Sequence, residues 1–231
     1  MTNKTEVLTL AERVFEQIQT AVVKGDIAPG ARISEQYLAD RFGVSRGPLR
    51  EAMRRLEARK LIKKIPHAGA TVVDLSLEEL IEIYQVRESL EALACKLAAQ
   101  EMTEEEIAEL KQVLQKHEQQ NELQEGIGYY QKEGDLDFHY RIVQGSKNQV
   151  LIDLLCGDLY HLVRMYRYQF STSSSRPKKA FLEHHRIIEA IESRDSEMAE
   201  ILMKRHIASS RENVEQRLAN ERITKQSQKQ E

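Results

Sequence analysis

The stretch from Ser34 to Asp74, SEQYLADRFGVSRGPLREAMRRLEARKLIKKIPHAGATVVD, contains two short helical patterns separated by a tight break at Gly43. The second helix begins after Ser45 and is basic, and two short apolar runs around Gly69 follow it. The order of helix, turn, helix and hairpin wing predicts a winged helix-turn-helix. In that motif the first turns of the second helix enter the major groove of DNA.

The segments on either side complete a small domain. Thr9 and Glu12 form a capping-box pattern that predicts a helix from about Leu10 to Lys24. Leu61–Ile65 and Ala70–Asp74 have the length and composition of the two strands of a wing.

The chain after Asp74 has a helical period almost throughout. Capping boxes at Ser76 with Glu79 and at Thr103 with Glu106 predict two of its helices. The expected helices cover about residues 76–100, 103–124, 129–144, 149–170, 177–193 and 196–220. The fold class is therefore mostly α. A winged helix-turn-helix with a small β-hairpin wing occupies residues 1–75, an all-α helical bundle residues 76–222, and a polar tail residues 223–231.

Composition and charge narrow the class of protein. The 231 residues are 41% hydrophobic, with no run near the roughly 18 apolar residues of a membrane span. The N-terminus lacks a signal peptide pattern, and only Cys95 and Cys156 are cysteines, so we expect a cytoplasmic protein without disulfides. The net charge of −3 divides into +4 for residues 1–75 and −7 for the remainder, which favours nucleic acid as the partner of the N-terminal half.

The candidate DNA contacts lie mainly on the basic helix. Arg46 and Arg50 are one turn apart on one face, where a guanidinium can bind guanine or clamp a phosphate. The alternative is a solvated basic helix on an unrelated helical protein. The residues predicted to contact DNA are Arg32, Gln36, Ser45, Arg46, Arg50, His67 and Gly69.

Four residues of the helical half form a candidate metal site. Asp135 and His139 are four positions apart on one expected helix, and His184 and His206 each lie on an apolar helical face. Three imidazoles and one carboxylate suit zinc, nickel or manganese. The alternative is that each histidine is a hydrogen-bonded core residue.

The block GVSRGPLREAMRRLEARKLI resembles the winged-helix signature of the GntR family of bacterial transcription regulators. The resemblance implies DNA contacts by Arg46, by Arg50 and by the wing around His67 and Gly69. Lys60 stands where the family usually has glycine, which leaves open how the recognition helix ends. Gln36 stands where some members have arginine.

The segment EIYQVRESLEALACKLAA, Glu82–Ala99, resembles the opening helix of the effector domain in the FadR branch of that family. Many members of this branch bind a divalent metal, and Asp135, His139, His184 and His206 match the four ligand positions. Members that bind fatty acyl groups lack the site, so the resemblance argues against an acyl-CoA ligand. It also implies that Arg87 lines the effector cavity, with a salt bridge to Glu88, to Glu91 or to an acidic residue of another helix as the alternative.

These features together predict a metabolite-responsive regulator that is not an enzyme. It is expected to bind a palindromic operator in double-stranded DNA as a homodimer and to repress. Its helical domain is expected to hold a divalent metal, zinc before nickel or manganese, and a small carboxylate effector. The alternatives are a metal-dependent enzyme and a helical scaffold with an incidental basic patch.

Overall fold

The structure is a computed structural model that describes residues 8–65, 69–74, 76–119, 137–170 and 176–227. Its internal contacts divide the chain into two compact units. The N-terminal unit contains residues 1–74 together with residues 158–169, and the helical unit contains residues 75–157 and 170–231.

The N-terminal unit has the winged helix-turn-helix order. Its elements are α1 (Leu10–Val23), β1 (Arg32–Ile33), α2 (Glu35–Phe42), α3 (Arg46–Ala58), β2 (Ile62–Ile65) and β3 (Gly69–Val72). Gly43 ends α2 in the left-handed conformation, with φ of 64°, and so makes the tight turn that the sequence predicts.

The first helix packs against α3. The predicted capping box of Thr9 and Glu12 is present at its start. Phe15 is buried, and the guanidinium groups of Arg55 and Arg59 lie 4.5 and 4.6 Å from its ring centroid. Arg55 therefore packs on α1.

The end of α3 has the geometry of a helix that closes on glycine, although Lys60 occupies the position. Lys60 has φ of 56°, in the left-handed region. The amide of Lys60 donates to the carbonyl of Glu57 at 2.9 Å, and that of Leu61 donates to Leu56 at 3.0 Å. These two bonds make a Schellman motif, and Leu56 and Leu61 are both fully buried beside it.

The wing belongs to a three-stranded antiparallel sheet in the order β1-β3-β2. Strand β1 pairs Arg32 with Thr71 and Ile33 with Ala70. The sequence predicted only the hairpin. A two-residue strand has too little periodicity to be recognised before its partner is known.

The helical unit and the segment that returns to the N-terminal unit are built from seven described α-helices. They are α4 (Leu77–Glu101), α5 (Glu104–Glu118), α6 (Phe138–Gly145), α7 (Gln149–Ile152), α8 (Tyr160–Phe170), α9 (Arg176–Glu192) and α10 (Ser196–Ser227). A π-helical segment, Asp153–Asp158, lies between α7 and α8. Most of α8 groups with the N-terminal unit. None of the described helices is long and apolar enough to cross a membrane.

The helices of the second unit pack around α4. Helix α10 runs along it, α6 and α9 contact it, and α9 also contacts α5 and α10. The ion pairs Lys96–Glu200 at 2.8 Å and Arg211–Glu88 at 2.6 Å hold α4 and α10 antiparallel. Both capping boxes predicted in this region are present, at Ser76 and Thr103.

Four of the predicted helices have boundaries that differ from the structure. The helix expected over residues 103–124 ends at Glu118, and the one expected over residues 149–170 is divided into α7, the π-helical segment and α8. The helix expected over residues 129–144 has its described start at Phe138, because Asp137 is extended and caps the helix by accepting from the amides of His139 and Tyr140. The last helix, expected to end near Asn220, continues to Ser227.

Candidate DNA interface and metal centre

The start of α3 presents the predicted DNA-contacting side chains to solvent. Ser45 is the N-cap residue, and Arg46 is the first residue of the helix. Ser45, Arg46 and Arg50 are all exposed, whereas Leu49 on the same helix is fully buried. The Ser45 hydroxyl makes no capping hydrogen bond, so this side chain does not satisfy the first backbone amides of α3.

Arg50 lies at the edge of a cleft between α3 and the hairpin. Its Nε donates to Glu35 Oε2 at 3.0 Å, and its side chain is still 61% exposed. The cleft has a volume of about 760 Å³, and Arg50, Arg54, Lys64 and Gly69 are among its lining residues. An exposed ion pair of this kind is weak enough for the arginine to exchange Glu35 for a phosphate or a base.

The other predicted contacts have individual structural roles. Arg32 is exposed on β1, and Gln36 donates to Asp40 from the surface of α2 at 2.9 Å. Gly69 has φ of 89°, and a β-carbon there would lie 2.6 Å from the Ile33 carbonyl oxygen. The close approach of β1 and β3 therefore requires glycine whether or not the wing meets DNA. His67 lies outside the described residues.

In the helical unit, three predicted metal ligands come together. His139 on α6, His184 on α9 and His206 on α10 each offer a ring nitrogen, and these atoms lie within 4.8 Å of one another. The Nε2 atom of His206 is 3.2 Å from Nε2 of His184 and 3.3 Å from Nε2 of His139. All three residues are at least 94% buried. His185, the neighbour of His184, is instead 50% exposed and bonded to Glu118.

Two carboxylates hold the outer nitrogens of this cluster. His139 Nδ1 is 2.7 Å from Glu91 Oε2, and His206 Nδ1 is 2.7 Å from Glu183 Oε2. The ring of Phe138 stacks on His184 with centroids 4.1 Å apart. This pairing of histidine with carboxylate fixes the ring orientation and directs Nε2 inward.

Arg87 is connected to the same cluster through Glu91. Its Nε donates to Glu91 Oε1 at 2.6 Å, so one carboxylate holds both Arg87 and His139. Arg87 is 2% exposed, and its guanidinium lies 4.8 Å from the ring of Tyr84. The salt bridge to Glu91, one of the two alternatives that the sequence left open, is present. Glu88 pairs with Arg211.

The fourth predicted ligand, Asp135, lies outside the described residues. The extended conformation of Asp137 means that regular helical spacing does not relate residue 135 to His139. Asp137 is fully buried and caps α6. The sequence also did not indicate that Glu91 and Glu183 bond to the histidines of this cluster. Glu91 is four residues after Arg87, and Glu183 precedes His184, but only the fold shows which histidines they hold.

Each of the two units matches a known protein family. Residues 10–72 match the model of the bacterial regulatory proteins of the gntR family, and residues 82–209 match the FCD domain. The second match spans more than half of the chain.

Individual relatives agree with these matches. The chain is 36% identical over 199 residues to the HTH-type transcriptional regulator YdhC of Bacillus subtilis (strain 168), covering 84% of each protein. It is 28% identical to the HTH-type transcriptional repressor RspR of Escherichia coli (strain K12), covering 89% of each.

The fold has a close counterpart among solved structures. The structure of E. coli McbR/YncC superimposes with a TM-score of 0.68 at 22% identity, over 92% of this chain and 100% of that one. The predicted fold class and family are confirmed. The chain belongs to the GntR family of bacterial transcription regulators, with an FCD domain, and is a DNA-binding regulator rather than an enzyme.

Proposed function

We propose that this regulator binds a divalent metal through His139, His184 and His206 and uses that site to sense a small anion. The observation that carries the proposal is the convergence of three buried Nε2 atoms. Either a shared proton or a metal cation can occupy the space between these three nitrogen atoms.

The carboxylates make the cation the better fit. Glu91 and Glu183 accept hydrogen bonds, so Nδ1 of His139 and of His206 carries the proton in each neutral ring. The Nε2 atoms of these rings then present lone pairs to each other at 3.3 Å. A metal ion that accepts both lone pairs removes the repulsion, and the orienting carboxylates raise the basicity of the ligands.

Zinc is the proposed metal, with nickel or manganese as alternatives, because a site with three imidazoles favours borderline metals. Asp135 is the proposed fourth ligand, on the resemblance to the FadR branch. Three histidines and one carboxylate leave a position open only if the bound ion takes five or six ligands, and a carboxylate effector would bind there.

Arg87 is proposed as the second anchor of that effector. Its Nη1 atom is buried and makes no hydrogen bond to any residue that the structure describes. A buried guanidinium donor without an acceptor is costly, and a ligand carboxylate can supply the acceptor. The Glu91 carboxylate bonds to both Arg87 and His139. An anion that binds Arg87 would therefore change the contacts of the carboxylate that orients His139, a proposed metal ligand.

On the DNA side, we propose that two chains form a homodimer that binds a palindromic operator. Arg46 and Arg50 would read bases, and Arg32, Gln36, Ser45 and the wing at His67 and Gly69 would contact the backbone or the minor groove. Repression is the proposed outcome, since RspR is named a repressor. The proposed location is the cytoplasm, where bacterial DNA lies. An effector shifts DNA affinity only by binding the two states of the dimer unequally.

A metal titration of the chelator-treated chain tests this proposal. Metal at about 100 times its dissociation constant should stabilise the fold by roughly 2.7 kcal/mol, which raises the melting temperature. His184→Ala and His206→Ala should lose the response to zinc, and His185→Ala is the matched control that keeps it. No shift of the wild type with zinc, nickel or manganese would leave the three histidines as core residues.

A further inference from the structure

Glu35 places a carboxylate beside the predicted DNA contacts of α3, where a negative charge would repel the phosphates of DNA. It is the first residue of α2 and follows the N-cap Ser34, whose hydroxyl accepts from the amide of Tyr37 at 3.1 Å. It also lines the same cleft as Arg50. Because an acidic side chain at this place lowers the affinity for DNA, affinity alone gives no reason for it.

The Glu35 carboxylate occupies one edge of the Arg50 guanidinium. Arg50 Nε donates to Glu35 Oε2 at 3.0 Å, whereas the two Nη groups make no hydrogen bond to any residue that the structure describes. A guanidinium has five N–H donors in a rigid plane, and the edge formed by its two Nη groups can bind guanine O6 and N7 together. Binding of a base therefore does not require Arg50 to leave Glu35.

Both partners are attached to backbone that the core holds in place. Helices α2 and α3 pack against each other. Leu38, three residues after Glu35, and Leu49, directly before Arg50, are fully buried. An exposed arginine side chain has many rotamers, and a bond at Nε limits the directions that its guanidinium can face. The pair with Glu35 thus orients the Nη edge before DNA binds.

The neighbouring arginines of α3 lack a partner of this kind. Arg46 is exposed and makes no ion pair with any residue in the described part of the chain. Arg54 pairs with Glu51 at 3.0 Å, three residues earlier on the same helix. The pair of Arg50 with Glu35 instead joins two helices, so it orients the arginine relative to the helix-turn-helix as a whole.

We infer that Glu35 is a positioning residue for DNA recognition, which holds the Arg50 guanidinium so that its two Nη groups face a guanine in the major groove. The inference rests on the proposed reading of bases by Arg50 and adds the residue that makes this reading specific. On other sequences the Nη edge finds no matching acceptors, while the Glu35 carboxylate still repels the phosphates. Glu35 thereby weakens binding to all DNA but weakens it least at the operator.

The ratio of operator affinity to non-specific affinity tests this role in the full chain. The operator probe is the duplex that the wild-type chain selects from random-sequence DNA, and the second probe contains the same bases in scrambled order. Glu35→Ala should raise affinity for the scrambled duplex by up to about 5-fold, because a solvent-screened negative charge is removed. It should lower the ratio by about 5-fold or more, because Arg50 loses its orientation.

Two further variants separate orientation from charge. Glu35→Gln keeps an oxygen that accepts from Arg50 Nε, so it should raise affinity for both duplexes and keep the ratio within about 2-fold of the wild type. Glu51→Ala is the matched control, since it removes a similarly exposed carboxylate from its pair with Arg54 and should raise both affinities by the same factor. Equal loss of the ratio in Glu35→Gln and Glu51→Ala would assign the effect to charge and overturn the inference.

A double-variant cycle separates this inference from the proposal on which it rests. Arg50→Ala should lower the ratio, and Glu35→Ala should change it no further in that background. An unchanged ratio in Arg50→Ala would contradict base reading by Arg50, and the inference would fail with that proposal.

The other outcomes of the cycle bear on Glu35 alone. If Arg50→Ala lowers the ratio and Glu35→Ala does not, Arg50 exchanges Glu35 for DNA and the inference is overturned, although Arg50 still reads a base. If Glu35→Ala lowers the ratio further in the Arg50→Ala background, Glu35 itself reads a base, which also overturns the positioning role.

Discussion

The two units hold their candidate functional side chains in opposite environments. In the N-terminal unit Arg46 and Arg50 are exposed, and the ion pair of Arg50 with Glu35 stands largely in water. In the helical unit Arg87, Glu91 and His139 form one connected network with exposures of only 2%, 5% and 6%. We expect that the exposed set can change with little effect on the fold, whereas a change in the buried set should affect both folding and the proposed ligand binding.

Removal of one carboxylate from each unit should show the largest difference. Glu91→Ala leaves Arg87 buried without its counter-charge and should cost about 3–5 kcal/mol of unfolding free energy. Glu35→Ala removes a solvent-screened partner and should cost less than about 1 kcal/mol. Urea denaturation of the metal-free chain measures both. Equal small losses would mean that the buried network does not stabilise the helical unit.

The exposed arginines should affect DNA binding instead. Arg46→Ala and Arg50→Ala should each weaken operator binding by about 1–3 kcal/mol if they read bases, with little change in stability. A phosphate contact would instead weaken all sequences alike and reduce the salt slope by about one unit. Fluorescence anisotropy measures this, with Arg205→Ala, an exposed arginine on α10, as the control. Unchanged affinity in both variants would remove α3 from the DNA interface.

The N-terminal unit also contains a buried histidine, His161, which should make the free energy of unfolding depend on pH. Burial, with help from Arg59 and Arg164, lowers the pKa of His161 from 6.5 to about 3. Above pH 6.5 neither state of the chain holds this proton. Between pH 6.5 and about 3 the unfolded state binds it first, so stability falls by up to about 1.4 kcal/mol per pH unit on acidification.

His161→Leu should reduce that loss. Urea denaturation at pH 7.5, 6 and 5 compares the variant with the wild type, because carboxylates contribute to both in the same way. If the unfolding free energies of the wild type and the variant changed with pH in the same way, His161 would be protonated equally in the folded and unfolded states.

The smallest expected effect is at Lys60. Its left-handed conformation disfavours a β-carbon, so Lys60→Gly should stabilise the chain by about 0.5–1 kcal/mol after the entropy of glycine in the unfolded state is subtracted. Ala58→Gly, two residues earlier within α3, should instead destabilise it by about 0.5–1 kcal/mol. A loss of stability in both variants would mean that Lys60 makes contacts that outweigh its backbone strain.

The sequence predicted best where the cause of structure is local. The capping boxes at Thr9, Ser76 and Thr103 depend on residues three positions apart, and all three are present. The α3 helix and its glycine turn depend on a short motif, and that motif also identifies the family.

The sequence did not predict features that depend on residues far apart along the chain. Strand β1 exists because β3 pairs with it, and Glu91 and Glu183 orient histidines that lie 48 and 23 residues away. The start of α6 at Phe138 was missed because the apolar period of the sequence continues across Asp137, whereas the side chain of that aspartate caps the N-terminus and so begins the helix there.

The metal content of gently purified protein tests the central claim most directly. Elemental analysis of the wild type should find one divalent ion per chain. His184→Ala and His206→Ala should lose most of it, and His185→Ala should retain it. A wild-type chain that carries no metal, and takes up none from zinc, nickel or manganese at equilibrium, would contradict the proposed sensor site.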